Sequence, residues 1–328
     1  MFFGSRQMDN RVMVMTEAQH VPVLLQEVLQ FLSPAPARSY IDCTAGAGGH
    51  SRALLAASEP DGRLLAIDTD AGAVNRVRAA LHASGERVTV VQGNFRNLLG
   101  IATSAGWRQA DGILLDLGFS SIQLESEGRG LSFQRDEPLD MRLDPNEVVP
   151  TAADLLHDLP EEDIAELLYR YGDEPASRRI ARAIVRERGE KPIVRTSELR
   201  ALIHRVVGGR YGQRIDPATR SFQALRISVN RELDALEAVL PQALDLLVNG
   251  GRLAVISFHS LEDRIVKQYF ARESHHCICP PALPVCQCGH IARVRLLTRT
   301  PVVATEAETM RNPRARSAKL RAVEKIAA

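Results

Sequence analysis

Short apolar runs alternate with segments of helical periodicity through the first third of the chain, and each run predicts a buried strand. The runs are RSYIDCT, GRLLAIDTD, RVTVVQGNF and ADGILLDLG. The segments HSRALLAAS and AGAVNRVRAALHAS lie between the first three runs and place apolar side chains on one helical face. Apolar strands that alternate with helices are typical of a parallel sheet covered on both faces. The pattern predicts an α/β fold.

The middle of the chain has helical periodicity without strands. Residues 118–150 are rich in Gly, Ser, Asp, Arg and Pro and predict a long ordered loop. Four predicted helices follow up to about Gly208, with start signals at Thr151 and Pro160. A longer helix is predicted over about 217–247, and GGRLAVISF then returns the chain to the sheet as a fifth strand.

This order predicts three parts of the chain. Residues 1–147 form the first part of an α/β core, and residues 148–214 form an inserted all-helical subdomain. Residues 215–328 complete the core and end in a basic tail.

Composition and charge narrow the class of protein. The chain has 328 residues, of which 45% are hydrophobic, so it can bury a substantial core. No run of about 18 apolar residues is present, and the first twenty residues lack the apolar segment of a secretory signal. We therefore expect a cytoplasmic protein without a membrane partner. Because the net charge is only +1, nucleic-acid binding would have to come from local patches.

A glycine-rich turn, IDCTAGAGGHS at 41–51, joins the first predicted strand to the next helix. Glycine lets the backbone approach a ligand closely, and a helix N-terminus offers free N–H groups. About 20 residues beyond Gly48, Asp68 ends the second strand, where a carboxylate can accept both hydroxyls of a ribose. Nicotinamide dinucleotides and S-adenosylmethionine both bind to such an arrangement.

Residues in the turn and at the ends of other predicted strands favour S-adenosylmethionine. The dinucleotide fingerprint needs a third glycine where Ser51 stands, and Asp42 would repel a pyrophosphate yet suit the ammonium of a methionine moiety. Asp116 ends the fourth strand and can accept a hydrogen bond from the adenine amine or the cofactor's amino group. Phe95, after the third strand, can lie against the adenine ring.

Eight blocks of sequence resemble the MraW/RsmH family, the bacterial methyltransferases that act on the cytosine-N4 amine of small-subunit ribosomal RNA. The blocks are HVPVLLQE (20–27), DCTAGAGGHSR (42–52), AIDTD (66–70), DGILLDLGFSS (111–121), RGLSFQRDEPLDMRLD (129–144), ATRSFQALRISVNREL (218–233), SFHSLEDR (257–264) and NPRARSAKLR (312–321). The resemblance implies a class I, Rossmann-like, S-adenosylmethionine-dependent methyltransferase. Such a fold has a mostly parallel sheet with helices on both faces, and here a helical insert that helps to bind RNA.

The resemblance also implies a cofactor site and a partner. The implied cofactor-binding residues are Gly48, Gly49, His50, Asp68, Phe95, Asp116 and Gln123. The assignment of His50 and Gln123 to the cofactor site comes from the resemblance alone. The local pattern by itself places His50 at the start of a helix, facing water. The implied partner is 16S rRNA within the small ribosomal subunit, near the decoding centre. A homodimer is left open.

Methyl transfer to a cytosine amine sets demands on the site. The amine and the methyl group must be held in line within about 3–3.5 Å, and oxygen atoms must accept the hydrogens of the amine. Asp116, Ser120 and Asp140 are the predicted catalytic groups, with Phe119 stacking on an unstacked base. Arg142 and His259 are also expected to line this cleft. The alternatives are a loop-ordering ion pair of Asp140 with Arg142 and, for His259, a capping or core position.

Two basic segments are predicted to contact RNA phosphates. Their basic residues are Arg178, Arg179, Arg182, Arg186, Arg188 and Lys191 in the first segment, and Arg311, Arg314, Arg316, Lys319 and Arg321 in the tail. The alternative is that both are solvated surfaces.

A cysteine cluster and three other functions complete the predictions. Cys277, Cys279, Cys286 and Cys288 form two C-x-C pairs that could hold structural zinc, a question that the sequence leaves open. The other functions are a non-catalytic cofactor-binding assembly factor for the ribosome, a methyltransferase on an amine of DNA or protein, and a nicotinamide oxidoreductase.

Overall fold

Eight strands form one sheet in the computed structural model, which describes residues 22–118, 128–208, 216–280, 283 and 285–327. The strands are β1 (Ser39–Asp42), β2 (Arg63–Asp68), β3 (Val88–Gln92), β4 (Ala110–Asp116), β5 (Leu247–Ser257), β6 (Val294–Leu296), β7 (Val302–Val303) and β8 (Lys319–Lys325). Their order is β3-β2-β1-β4-β5-β8-β6, and β7 pairs with β8. The first five strands are parallel to one another, and β8 runs antiparallel to β5, β6 and β7. The predicted mostly parallel sheet is therefore confirmed.

Helices cover both faces of the sheet, as the uniformly apolar strands predict. They include α1 (Leu25–Leu32), α2 (Gly49–Ala57), α3 (Ala71–Leu81) and α4 (Leu98–Ser104). Successive residues of β2 enter different cores. Leu65 and Ile67 pack in one apolar cluster, and Leu64 and Ala66 pack in another. Because side chains of a strand alternate between the two faces, both faces of this sheet are buried.

A separate apolar cluster holds five helices together. They are α5 (Ala152–Asp158), α6 (Glu161–Gly172), α7 (Ser177–Arg188), α8 (Thr196–Val207) and α9 (Thr219–Asn230). We call these five helices the helical subdomain. The division of the chain at 148–214 stays a prediction, and the cluster also includes side chains on both sides of those limits. Leu131, Leu139 and Met141 contribute before them, and Phe222 and Leu225 contribute after them. The loop before residue 148 has no periodicity, so the sequence pattern did not reveal its buried side chains.

The single helix predicted over about 217–247 is two helices. It breaks at Arg231, whose φ of 50° is left-handed, between α9 and α10 (Glu232–Leu246). Phe222 of α9 packs in the helical subdomain, whereas Leu240 of α10 packs against the sheet. The prediction was wrong because helical periodicity continues on both sides of the break while the buried face changes its partner.

The predicted basic tail is also largely structured. It contains α12 (Glu306–Arg311), a 3₁₀ turn (Pro313–Ser317) and β8. Arg321 of β8 is buried, and its Nε donates to Asp263 Oδ1 over 2.7 Å. Lys319 Nζ lies 3.4 Å from the other oxygen of Asp263. Asp263 belongs to α11 (Ser260–Glu273), so these two cations join β8 to a helix rather than extending from a free tail.

Within the part of the chain that the structure describes, no helix has both the length and the apolar content needed to span a membrane.

Candidate functional site

The loops that follow the five parallel strands β1 to β5 line a cavity of about 390 Å³. This volume lies within the range of sites for small organic ligands, about 300–1,000 Å³. Gly46, Asp68, Phe95 and Asp116 are among the lining residues on the sheet side. The carboxyl ends of parallel strands meet at one end of a sheet, so residues far apart in sequence converge here.

The glycine turn forms part of the cavity wall on the sheet side. Gly46 and Gly48 have φ angles of 55° and 80°, which side-chain-bearing residues rarely adopt. Gly49 begins α2, and a Cβ built on it would lie 2.4 Å from Cγ of Pro22. Gly46 and Gly49 line the cavity, whereas Gly48 makes the left-handed turn beside it. The bare backbone is thus required partly by packing and partly by the turn.

Asp68 shapes the turn as well as the cavity. Its Oδ2 accepts the N–H of Gly46 over 2.8 Å, and its Oδ1 accepts the N–H of Asp70 over 2.9 Å. Burial raises the pKa of this carboxyl, although both N–H groups counteract the shift. Each oxygen retains a second lone pair for a ligand hydroxyl.

His50 is buried between two acceptors, contrary to its expected position facing water. Its Nε2 lies 3.0 Å from the carbonyl oxygen of Val23, which can only accept, so Nε2 carries a proton. Its Nδ1 lies 3.4 Å from Oδ2 of Asp116. Burial lowers the pKa of His50, but Asp116, with Asp42 and the Val23 carbonyl, outweighs burial and raises the pKa above its usual value. The arrangement favours an imidazolium paired with Asp116.

One carboxylate oxygen of Asp116 is left without a hydrogen bond within the described part of the chain. Its Oδ1 is buried and has no hydrogen-bond partner among the described residues. Buried acceptors are normally satisfied, so an unpaired oxygen on the wall of a cavity fits a ligand that donates there. The amines of S-adenosylmethionine are such donors. With the glycine turn and Asp68, this unpaired oxygen shows that the residues present suit that cofactor.

Asp42, in contrast, does not line the cavity. It is buried behind the glycine turn, where its carboxylate accepts the Ser51 hydroxyl over 2.6 Å and the Thr44 N–H over 3.2 Å. The expectation that Asp42 meets the ammonium of the cofactor is therefore corrected. Its role is to fix the start of α2.

The opposite wall of the cavity comes from α9 and the start of α11. Arg226 donates through Nε and Nη2 to both oxygens of Glu232, over 2.8 and 2.9 Å. His259 caps α11 and also lines the cavity, so both interpretations of this residue hold. Its buried Nε2 lies 3.2 Å from Oε1 of Glu262 without the geometry of a hydrogen bond. Glu262 accepts the N–H of Phe258 over 2.8 Å.

Sequence reasoning did not single out Arg226 or Glu262. Both residues lie inside quoted blocks, ATRSFQALRISVNREL and SFHSLEDR, so the resemblance contained a signal for them. The helical pattern alone gave none, because charged residues are common in both helices.

Asp140 lies outside the lining of the cavity. Arg142 donates to both of its oxygens over 2.7 Å, and the Asp140 carbonyl accepts the N–H of Ala152. Burial raises the pKa of Asp140, but the hydrogen bonds from Arg142 outweigh burial and lower it. The structure thus favours the loop-ordering ion pair. Three further predicted residues, Phe119, Ser120 and Gln123, lie outside the described residues.

A family model identifies the chain. The model of the MraW methylase family matches residues 17–326. The chain belongs to the MraW methylase family. This membership confirms the resemblance, the class I methyltransferase fold and the cofactor S-adenosylmethionine.

Relatives of this MraW family member match it along nearly its whole length. It is 54% identical over 308 residues to a Thermomicrobium roseum protein named ribosomal RNA small subunit methyltransferase H, covering 94% of both chains. Proteins of the same name from Dehalococcoides mccartyi and Geobacter sulfurreducens are each 50% identical. These two matches cover 95% and 94% of this chain, and 88% and 99% of the relatives.

Proposed function

We propose that this protein transfers a methyl group from S-adenosylmethionine to the N4 exocyclic amine of a cytosine in 16S rRNA, near the decoding centre of the small ribosomal subunit. The names of the full-length relatives support ribosomal RNA of the small subunit as the substrate. The resemblance of eight blocks supports cytosine N4 as the acceptor. The observation that carries the proposal is the two-sided cavity, with a glycine turn and carboxylates on one wall and α9 and α11 on the other.

The sheet side of the cavity is the proposed cofactor wall. When bound, S-adenosylmethionine supplies a methyl group that is already activated on a sulfonium. Asp68 would accept the hydroxyls of the ribose, and Phe95 would lie against the adenine ring. The unpaired Oδ1 of Asp116 would accept an amine, while the imidazolium of His50 neutralises the same carboxylate. None of these roles requires a metal ion.

The helical side of the cavity is the proposed base wall. A cytosine amine is a weak nucleophile, so the site must orient the base and accept the hydrogens of the amine. The Glu262 N–H faces Nδ1 of His259 at 3.5 Å, so the ring proton of a neutral His259 lies on Nε2, 3.2 Å from Oε1 of Glu262. His259 would therefore position Glu262 and the start of α11 beside the base. The bidentate pair with Glu232 fixes Arg226 beside His259. Ser120 and the carbonyl groups of its loop remain the predicted acceptors of the amine hydrogens.

RNA would reach this cavity along the helical subdomain. Arg178, Arg182 and Arg186 are exposed and lie four residues apart on α7, so they share one face. Arg188 is different, because it donates to the carbonyls of Leu156 and Leu159 and so serves the fold. A base must leave its stack to expose the amine inside the cavity, and this costs least in single-stranded or mismatched RNA.

Methylation of isolated ribosomal subunits tests the proposal. Small subunits from a strain lacking its own member of the family would be incubated with the purified protein and methyl-labelled S-adenosylmethionine, and the rRNA digested to nucleosides. We expect the label in N4-methylcytidine. Cofactor binding without any transfer would favour the non-catalytic assembly factor. Label in another nucleoside or in protein would contradict cytosine N4 as the acceptor.

A further inference from the structure

Four cysteines converge on the connection between α11 and β6, far along the chain from the cofactor residues. We propose that Cys277, Cys279, Cys286 and Cys288 bind one zinc ion in a tetrahedral site of four thiolates. Their Sγ atoms all lie within 4.8 Å of one another. The Sγ atoms come from two C-x-C pairs separated by six residues. None of the four residues lines the cavity, so this site is distinct from the proposed active site.

The sulfur–sulfur distances match a metal site rather than disulfides. Zn–S bonds of about 2.3 Å in a regular tetrahedron place neighbouring sulfurs roughly 3.8 Å apart. Cys286 Sγ and Cys288 Sγ are 3.6 Å apart, and Cys288 Sγ and Cys277 Sγ are 3.9 Å apart. A disulfide requires about 2.05 Å, and all four residues are free cysteines.

Backbone N–H groups point at the sulfurs, which suits thiolates better than neutral thiols. The N–H groups of Ile278 and His290 donate to Cys288 Sγ over 3.4 and 3.5 Å. The N–H of Gln287 donates to Cys279 Sγ over 3.4 Å. Hydrogen bonds of this kind orient metal-bound ligands and stabilise their charge. The loop therefore supplies the surroundings of a metal site as well as its ligands.

The connection has no apolar core of its own. Among its described residues from 274 to 291, none is buried, and none belongs to the three apolar clusters. Its ends are fixed by a contact of His290 Nε2 with the Arg272 carbonyl at 3.0 Å and by the Arg293 N–H, which donates to the Glu273 carbonyl. Small segments that bury little surface are commonly stabilised by a metal ion. Zinc would hold this connection at the edge of the sheet.

The ligand set determines both the metal and its role. Soft thiolates select zinc over magnesium or calcium, and four protein ligands leave no open position for catalysis. On binding, each thiol loses its proton to solvent and forms one Zn–S bond, so four protons are released and the site carries a net charge of −2. The role is therefore structural.

Metal analysis of the full-length protein, purified under reducing conditions without added zinc, tests the site. We expect one zinc per chain, and its loss in the double variants Cys277→Ser/Cys279→Ser and Cys286→Ser/Cys288→Ser. His276→Asn, a change in the exposed histidine beside Cys277, is the matched control and should retain the metal. Should the double variants fail to fold, cobalt(II) titration of the metal-free wild-type protein gives an independent answer. It should produce the visible absorption of tetrahedral thiolate-bound cobalt.

Three other results would contradict the zinc site or its ligand set. Wild-type protein that contains no zinc and gives no such cobalt spectrum would overturn the site. Zinc retained in both double variants, or lost in His276→Asn, would overturn this ligand set. Peptide mapping that found disulfides among the four residues in reduced cell extracts would do the same. Each readout is independent of methyl transfer, so a failed zinc site leaves the proposed function untouched.

Discussion

His50 connects three segments of the chain at one buried imidazole. Its ring lies between the carbonyl of Val23, which precedes α1, and the carboxylate of Asp116, which ends β4. Both neighbours accept hydrogen bonds, so the ring is best satisfied when both nitrogens carry protons. The charge of this imidazolium then stabilises the fold as well as the carboxylate of the cofactor wall.

The raised pKa of His50 gives its contribution to stability a definite pH dependence. A group whose pKa rises on folding stabilises the native state most below its unfolded pKa, about 6.5, and loses that effect as the pH rises through the folded pKa. The free-energy difference between wild type and His50→Gln should therefore be larger at pH 6 than at pH 9. Urea unfolding across this range measures it. A difference that is constant, or that grows with pH, would contradict the imidazolium.

Asp116 should contribute strongly to cofactor affinity. Hydrogen bonds to charged groups are worth about 1.5–3 kcal/mol, so Asp116→Asn should weaken S-adenosylmethionine binding roughly 10- to 100-fold by calorimetry. Asp111→Asn is the matched control, because Asp111 lies near the other end of the same strand, away from the cavity. There it accepts the Ser39 N–H. Equal effects of the two changes would indicate a general loss of stability.

The strand-ending carboxylates could be predicted from sequence, whereas the partners of His50 could not. Asp68 and Asp116 follow apolar runs, and parallel strands end at a common edge. His50 contacts Val23, 27 residues away, through packing that no local pattern encodes. Asp42 shows the converse error, since it ends a strand yet faces Ser51 behind the turn.

At the scale of elements, the start of α2 depends on the absence of a side chain at Gly49. Gly49→Ala should destabilise the protein by about 1–3 kcal/mol, because the new methyl group would collide with the rigid ring of Pro22. Gly72→Ala is the control in the first turn of α3, another helix that follows a strand. There the nearest atom is the flexible end of Arg76, and removing a helical glycine should stabilise by about 0.5–1 kcal/mol. Chemical denaturation compares them, and equal shifts would contradict the steric account.

The elements that the sequence misplaced share a physical cause. The sequence of β8 contains Lys319, Arg321 and Lys325 and resembles a solvated tail. The strand nevertheless lies between β5 and β6, and its Leu320, Ala322 and Val323 are buried. The charged residues are accommodated through Asp263 of α11 and similar partners, which only the folded chain brings together. Apolar strands and capped helices were predictable because their signals are local. Elements that depend on distant partners were not.

At the scale of the whole molecule, the cofactor wall lies on the sheet, whereas the exposed arginines lie on α7 of the helical subdomain. Cofactor binding and RNA binding should therefore be separable by mutation. Replacing Arg178, Arg182 and Arg186 with alanine should weaken binding to small ribosomal subunits. It should also lower the magnitude of the salt dependence, log Kd against log salt, by about 2, because each lost phosphate contact contributes roughly 0.7. Filter binding over a range of salt concentrations measures this, and cofactor affinity should be unchanged.

A matched triple variant controls for net charge. Arg38, Arg78 and Arg108 are exposed residues of the α/β core. Replacing all three with alanine removes the same charge, but the salt dependence should stay as in the wild type. An equal loss in both triple variants would show that α7 is not a specific RNA contact.

Methylation of cytosine N4 in 16S rRNA is tested by mass spectrometry of the rRNA from cells that lack this protein, compared with the same cells after its gene is restored. We predict that one N4-methyl group on a cytosine near the decoding centre disappears in the first cells and returns in the second. An identical set of methylated cytosines in both would contradict it.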